Sequence, residues 1–238
     1  MAGKRVWLAA AALSAMALAA GGWHLSRATP AQIERLRMAG EDSAPRLRWH
    51  AWSGDAQAQR ALAQVLWRKQ REDALYWAQR AAAQGDVEAA WMLGRTHFDG
   101  SARADHRADY AKARAWLTQA AQGGHAGAMH LLALMDKNGY GGAVNLPRSA
   151  QWLAQAVKLG HADAMFLLGN AYHDGQGVAR DEQQALRLYQ AAAEKEQAQA
   201  AQMLAQAHAE GRLGLRQDAR EAALMMREVE HILSHHGP

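Results

Sequence analysis

The residues best suited to chemistry in this chain of 238 residues are its 12 histidines, because imidazoles at helical spacing can share a metal ion. His231 and His235 are four residues apart near the C-terminus, and His236 follows directly. No H-E-x-x-H motif accompanies them, which favours an incidental polar tail. His125 and His161 occupy equivalent places at the start of two predicted helices, where we expect them to cap the helix or face water. We therefore expect no metal site and no cofactor.

Motifs for catalysis are also missing from the sequence. There is no G-x-S-x-G elbow, no phosphate loop and no dinucleotide fingerprint. The acidic pairs Glu72–Asp73 and Asp181–Glu182 fall at predicted helix starts, where the helix dipole explains them. The chain has no cysteine, which excludes a thiol nucleophile, a cysteine zinc site and disulfides. We expect a binding protein rather than an enzyme, with no catalytic residue and no small-molecule substrate.

The main organising feature of the chain is an internal repeat. The segment GHAGAMHLLA at residues 124–133 returns as GHADAMFLLG at residues 160–169, and weaker forms begin at Gly54, Gly85 and Glu196. A period between about 20 and 50 residues is typical of solenoid proteins. Three columns recur in every unit: Ala58, Ala89, Ala128, Ala164 and Ala200; Leu62, Leu93, Leu132, Leu168 and Leu204; and the small residues Ala63, Gly94, Ala133, Gly169 and Ala205. Because positions four apart share one face of an α-helix, the columns predict the buried stripe of a first helix.

A second helix is predicted further on in each unit. Its bulky column is Trp77, Trp116, Trp152, Leu188 and Leu224, and Ala81, Ala120, Ala156 and Ala192 follow four residues later. Glycines between the two helices suit a turn that needs positive φ. Asp109, Asn145 and Asp181 are placed to cap the second helix with a side-chain oxygen. Each unit is therefore predicted to be a helix, a glycine turn and a capped helix.

The fullest unit resembles the Sel-one-like repeat family, relatives of the tetratricopeptide repeats. Residues 164–181 follow its pattern A-x-x-x-L-G-x-x-Y-x-x-G-x-G-V-x-x-D. The first unit lacks the glycine loop, the second carries a three-residue insertion around residues 101–106, and the fifth has Leu213 at the second loop glycine. The resemblance implies an all-α fold, a right-handed superhelical α-solenoid of about five helix-turn-helix repeats over residues 54–238. It also implies a protein partner and no catalytic residues.

A binding surface is predicted on the first helices, which line the concave groove in the resembled superhelices. Positions two residues after the alanine column point away from the buried stripe. Together with positions one turn later, these are the predicted partner-binding residues: Arg60, Gln64, Trp91, Arg95, His130, Phe166, Asn170 and Gln202. Aromatic residues and arginine dominate interface hot spots, which favours this face as the site. The alternative is that Trp91 and Phe166 merely pack against an adjacent repeat.

The N-terminus carries a separate signal. Residues 6–25 contain no charged side chain and follow two basic residues. Their length and the tryptophans Trp7 and Trp23 near the ends favour an inner-membrane anchor, whereas the small residues at 17–19 favour a cleaved signal peptide. Both interpretations place the repeats on the periplasmic side of a bacterial envelope, and we favour the anchor. The predicted domains are a signal anchor or signal peptide (1–30), a short helical linker (31–53) and the solenoid (54–238).

The charge balance excludes nucleic acid as the expected partner. The whole chain has 27 Lys and Arg against 23 Asp and Glu, and residues 1–53 hold seven against three, so the repeats hold 20 of each. A nucleic-acid reader normally carries its basic excess on the binding domain. The predicted function is therefore a periplasm-facing scaffold or adaptor. The alternative implied by the resemblance is an immunity protein that neutralises a secreted antibacterial effector, and an envelope hydrolase is the weakest of the three.

Overall fold

The computed structural model describes residues 28–102 and 105–235, and every regular element in these two stretches is helical. In chain order the helices are α1 (Pro30–Met38), α2 (Ala44–Trp52), α3 (Ala56–Leu66), α4 (Arg71–Ala83), α5 (Val87–Phe98), α6 (Tyr110–Gln122), α7 (Ala126–Asn138), α8 (Leu146–Lys158), α9 (Ala162–Asp174), α10 (Glu182–Ala193), α11 (Ala198–Glu210) and α12 (Ala219–His235). A 3₁₀-helix, Gly40–Ser43, joins α1 to α2.

The helices from α3 onward form five packed pairs. Each first helix packs against its own second helix, and each second helix then contacts the first helix of the next pair. The predicted all-α solenoid of helix-turn-helix repeats is confirmed. The first helices α5 and α7 also touch each other, whereas no two second helices make a comparable contact within the described residues. This contact indicates that α5 and α7 lie on the inner, concave side of the superhelix, the side that the resembled repeats give to all first helices.

The two columns predicted to form the stripe of the first helix are buried throughout. No alanine or leucine in them is more than 5% exposed. The small residue after the leucine is required by close packing, because a Cβ on Gly94 would lie 2.7 Å from the side chain of Leu117. At Gly169 a Cβ would lie equally close to the ring of Tyr189. The repeat therefore encodes both the buried face and the space that the second helix fills.

The buried stripe of the second helix is centred one residue later than the sequence pattern indicates. The fully or almost fully buried side chains there are Ala78, Leu117, Leu153 and Tyr189. In the predicted column Trp77 is buried, but Trp116, Trp152 and Leu188 are half-buried and Leu224 is 48% exposed. One residue turns a helix by about 100°, so the bulky column lies at the edge of the buried face.

The turns between paired helices are fixed by side-chain caps. Asp109, Asn145 and Asp181 each accept a hydrogen bond from the backbone N–H three residues later, as predicted. Asp218 does the same at the start of α12. The backbone N–H of each cap donates to a carbonyl near the end of the preceding helix, for example from Asp181 to Tyr172 at 2.9 Å. The capped turn therefore sets the orientation of each second helix relative to the first helix of its pair.

The fifth turn keeps its shape without its second glycine. Gly177 has φ of 77° in the fullest repeat, and Leu213 at the matching position has φ of 58°. A leucine in the left-handed region costs on the order of 1–2 kcal/mol. Leu213 is only 6% exposed, and burial of its side chain offsets that strain.

The segment before the repeats covers the first helix pair. Helices α1 and α2 both pack on α3, and Leu47 and Ile33 are buried. Residues 31–53, expected to be a short helical linker, thus contribute to the core of the first repeat. Among the helices in the described part of the chain, none is long and apolar enough to cross a membrane. The predicted anchor at residues 6–25 lies outside the described residues.

Candidate protein-binding surface

The predicted binding residues all lie on first helices. They are Arg60 and Gln64 on α3, Trp91 and Arg95 on α5, His130 on α7, Phe166 and Asn170 on α9, and Gln202 on α11. Arg95 and Gln202 are exposed, whereas the other six side chains are half-buried. The concave row is therefore less open than helix periodicity alone suggests.

A row of capping residues lies beside this surface. The first helices begin after Asp55, Asp86, His125, His161 and Gln197, and each of these side chains accepts a hydrogen bond from the backbone N–H three residues later. The two histidines cap through Nδ1, which confirms the expectation from their position in the repeat. The caps therefore place a polar side chain at the same point of every repeat.

Residues in the predicted binding row contact the cap of the next repeat. Arg60 Nε donates to Asp86 Oδ2 at 3.1 Å. The ring of Trp91 stacks on His125, with ring centroids 4.5 Å apart. These contacts with the cap of the next repeat explain the half-burial of both side chains. They also link consecutive repeats to each other.

The same pattern continues into the fourth repeat. The rings of His130 and His161 have centroids 4.9 Å apart. Burial lowers the pKa of His130, and the neighbouring His161 lowers it further. Phe166 instead contacts Tyr189 of its own repeat, with centroids 5.9 Å apart. The sequence could not reveal the histidine pair, because its members lie in different repeats and meet only through the superhelical packing.

One turn further along the first helices, two amide side chains occupy equivalent positions. Asn170 Oδ1 accepts a hydrogen bond of 2.8 Å from the Tyr189 hydroxyl. Gln64 Oε1 is buried and accepts no hydrogen bond from any described residue. A buried acceptor without a donor is unfavourable. Because this oxygen has almost no accessible surface, a donor from outside would reach it only after the side chain rotates.

Gln64 lines a polar cleft of about 560 Å³ between α1, α3 and the start of α5. Arg37 and Glu34 from α1 form one wall and pair with each other, and the hydrogen bond from Arg37 lowers the pKa of Glu34. Arg60 and Asp86 form the opposite wall and are paired as well. Glu88 also lines the cleft, so its lining carries three acidic and two basic side chains.

The family of the chain follows from a match to the whole repeat array. A model of the Sel1 repeat matches residues 56–86, 87–125, 126–161, 162–196 and 198–228. The chain belongs to the Sel1 repeat family. Three of these matched units end on a capping residue of the next first helix, so their boundaries coincide with the contacts described above. Sel1 repeats are generally non-catalytic modules that bind proteins.

Solved structures support the same family and fold. The Sel1 repeat chain is similar to a protective antigen of uropathogenic Escherichia coli strains, with 30% identity, a TM-score of 0.74, and 79% of this chain and 40% of that chain covered. It is also similar to a Sel1 repeat protein from Oxalobacter formigenes, with 25% identity and a TM-score of 0.75. That match covers 85% of this chain and 88% of the Oxalobacter chain. An immunity protein from Pseudomonas aeruginosa shares the fold alone, at 17% identity and a TM-score of 0.54, over 86% of this chain and 82% of that chain. This chain thus spans less than half of the antigen's length. A comparison with curated proteins finds no significant match.

A buried ionic cluster in this Sel1 repeat chain was not predicted from its sequence. The Asp136 carboxylate is fully buried near the end of α7. Arg114 of α6 donates to Asp136 Oδ1 at 2.7 Å, and Arg148 of α8 donates to both oxygens at 2.6 and 2.7 Å. Asp136 occupies the column that holds Tyr172 in the fullest repeat. The sequence signal for this cluster was an acidic residue, Asp136, in a column where the fullest repeat has the aromatic Tyr172.

Proposed function

We propose that this protein is a non-enzymatic scaffold or adaptor whose concave surface binds a protein partner on the periplasmic side of a bacterial envelope. The observation that carries the proposal is the row of first-helix side chains along the concave side. Arg95 and Gln202 are exposed on it. Arginine and exposed ring surface are favoured in interface hot spots.

The half-buried rings are expected to serve two purposes. Trp91 is held in one orientation by His125, and Phe166 lies against Tyr189. Rings held in place lose little conformational freedom on binding, which favours affinity. Their substitution would also disturb the contacts between helices. A test of binding should therefore use exposed residues of the same surface.

A charge change on the concave side should weaken partner binding about tenfold or more, which corresponds to about 1.4 kcal/mol. The variant is Arg95→Glu with Gln202→Glu, both exposed on first helices. The matched control is Arg187→Glu with Gln190→Glu, a pair that is also exposed and lies on the second helix α10. Proteins captured by the full chain from envelope extract would be quantified by mass spectrometry, and the dissociation constant of a purified partner would then be measured.

The proposal requires a partner that the concave variant loses and the control variant keeps. Equal loss in both variants, or equal retention, would contradict a concave site, provided that circular dichroism shows both variants to be folded.

The nature of the partner separates the two candidate functions. An antibacterial effector whose toxicity is relieved by this chain would replace the scaffold with the immunity alternative, whereas a resident envelope protein would support the scaffold.

The proposed location can be tested with a reporter fused after Pro238. We expect a reporter that works only outside the cytoplasm to be active, and the fusion to stay with membranes during a carbonate wash, because residues 6–25 are uncharged and about the length that spans a bilayer. Release into the soluble periplasmic fraction, with a mature start near Ala20, would show a cleaved signal peptide instead. Activity in the cytoplasm would contradict both versions.

A further inference from the structure

A cluster of three potential metal ligands lies where the third and fourth repeats meet. His130 belongs to α7, His161 caps α9, and Asp163 lies in the first turn of α9. Each residue offers one potential ligand atom, and these three atoms all lie within 4.8 Å of one another. We propose that His130, His161 and Asp163 form a binding site for a divalent transition-metal ion such as Zn²⁺, bridging the two repeats.

The ligand set suits this class of ion. Imidazole nitrogen and carboxylate oxygen both bind Zn²⁺ at about 2.0–2.2 Å, and in a tetrahedral site such ligands are about 3.3 Å apart. The present separations reach at most 4.8 Å, so any pair that is now wider than the tetrahedral spacing has to close by no more than about 1.5 Å. Asp163 is exposed, so its carboxylate can rotate toward the two rings without a change in the core. A water molecule would fill the fourth position.

The capping hydrogen bond of His161 is the longest of its row, which favours a second role for this side chain. Its Nδ1 accepts from the Ala164 N–H at 3.3 Å. The corresponding distance is 2.9 Å for Asp55, 2.8 Å for Asp86, 3.1 Å for His125 and 2.7 Å for Gln197. When Nε2 of His161 binds the metal, its proton moves to Nδ1 and the cap is given up.

The electrostatic setting is consistent with a bound cation. The N-terminus of α9 carries partial positive charge, which by itself disfavours a metal ion. The Asp163 carboxylate in the first turn offsets that charge and is also a ligand of the proposed site. The ligands come from two repeats, so a bound ion would resist their separation. Since the site needs no partner, the proposal is independent of the function proposed above.

The probe for the test is Zn²⁺ alone, titrated into the untagged full chain in competition with a chromophoric chelator. We expect one ion per chain and a higher melting temperature in its presence, because a ligand that binds only the folded state stabilises it. His130→Ala, His161→Asn and Asp163→Asn should each lower the affinity about tenfold or more. Asn in place of His161 keeps a capping oxygen, and Asp163→Asn changes an exposed side chain, so both variants should fold as the parent does.

Two controls address other histidines. His125→Asn is the same change at the cap of the preceding repeat, and His231→Ala removes one member of the C-terminal histidine pair. Both should keep the parent affinity to within about twofold. The proposal is overturned if the parent chain binds no stoichiometric Zn²⁺ or if Asp163→Asn binds it as the parent does. A loss in either control as large as that in His161→Asn would overturn it as well.

Discussion

Replacing Arg114 and Arg148 together with methionine should lower the free energy of unfolding by about 3–5 kcal/mol. The two guanidinium groups donate all three hydrogen bonds recorded for the Asp136 carboxylate, which has no exposed side-chain surface. Without them a buried charge would remain without partners. Methionine keeps most of the apolar stem of arginine, so the loss reports on the charges more than on packing.

Urea denaturation of the double variant and of two companions would measure this effect. Arg114→Met alone should cost less, because Arg148 still contacts both carboxylate oxygens. Adding Asp136→Leu to the double variant should recover most of the lost stability, since leucine already occupies this column as Leu66 in the first repeat. A loss below about 1 kcal/mol in the double variant, or no recovery in the triple one, would contradict this account of the cluster.

The same cluster predicts how stability depends on pH. Burial by itself raises the pKa of Asp136, but the hydrogen bonds and charges of Arg148 and Arg114 outweigh it and leave the pKa below the ordinary 3.8. A carboxyl with a lowered pKa in the folded state stabilises the fold above its unfolded pKa. This contribution should decline as the pH falls below about 4 and through the lowered value. The variant with Arg114 and Arg148 both replaced by methionine should lack this pH-dependent contribution to stability.

The first helices were predictable because their information is local. Alanine and leucine four residues apart, as in Ala164 and Leu168, define a buried face without knowledge of any neighbour. Caps such as Asp181 and His161 likewise depend on backbone N–H groups three residues away. The all-α repeat architecture therefore follows from the spacing of a few residue types.

Other features depend on contacts between repeats, which spacing does not encode. Asp136 acquires its role only when Arg114, on the second helix of the preceding repeat, reaches it. Trp91 was expected on an open face, and it is half-buried because the next repeat places His125 on its ring. The proposed metal ligands are brought together in the same way. The repeat period identifies which residues are equivalent, but it does not identify which residues are in contact.

Gly169→Leu should destabilise the fold by about 3 kcal/mol, the upper part of the range for overpacked cores. A single Cβ at Gly169 would already lie 2.7 Å from the Tyr189 ring. Tyr189 is fully buried, and its hydroxyl donates to Asn170, so the ring cannot move aside without losing that bond. Burial also raises the pKa of Tyr189 to about 12, and the charge of Asp174 contributes.

Gly169→Ala separates close packing from helix propensity. Alanine in place of glycine inside a helix normally stabilises by roughly 0.5–1 kcal/mol, and here we expect the opposite sign because of the ring. Combining it with Tyr189→Leu reproduces the pair Ala133 and Leu153 at the matching positions of the third repeat. The double variant should therefore lose less stability than the sum of its single changes, as measured by urea denaturation. Additive losses, or a stabilising Gly169→Ala, would contradict the inference that the small-residue column exists to admit the second helix.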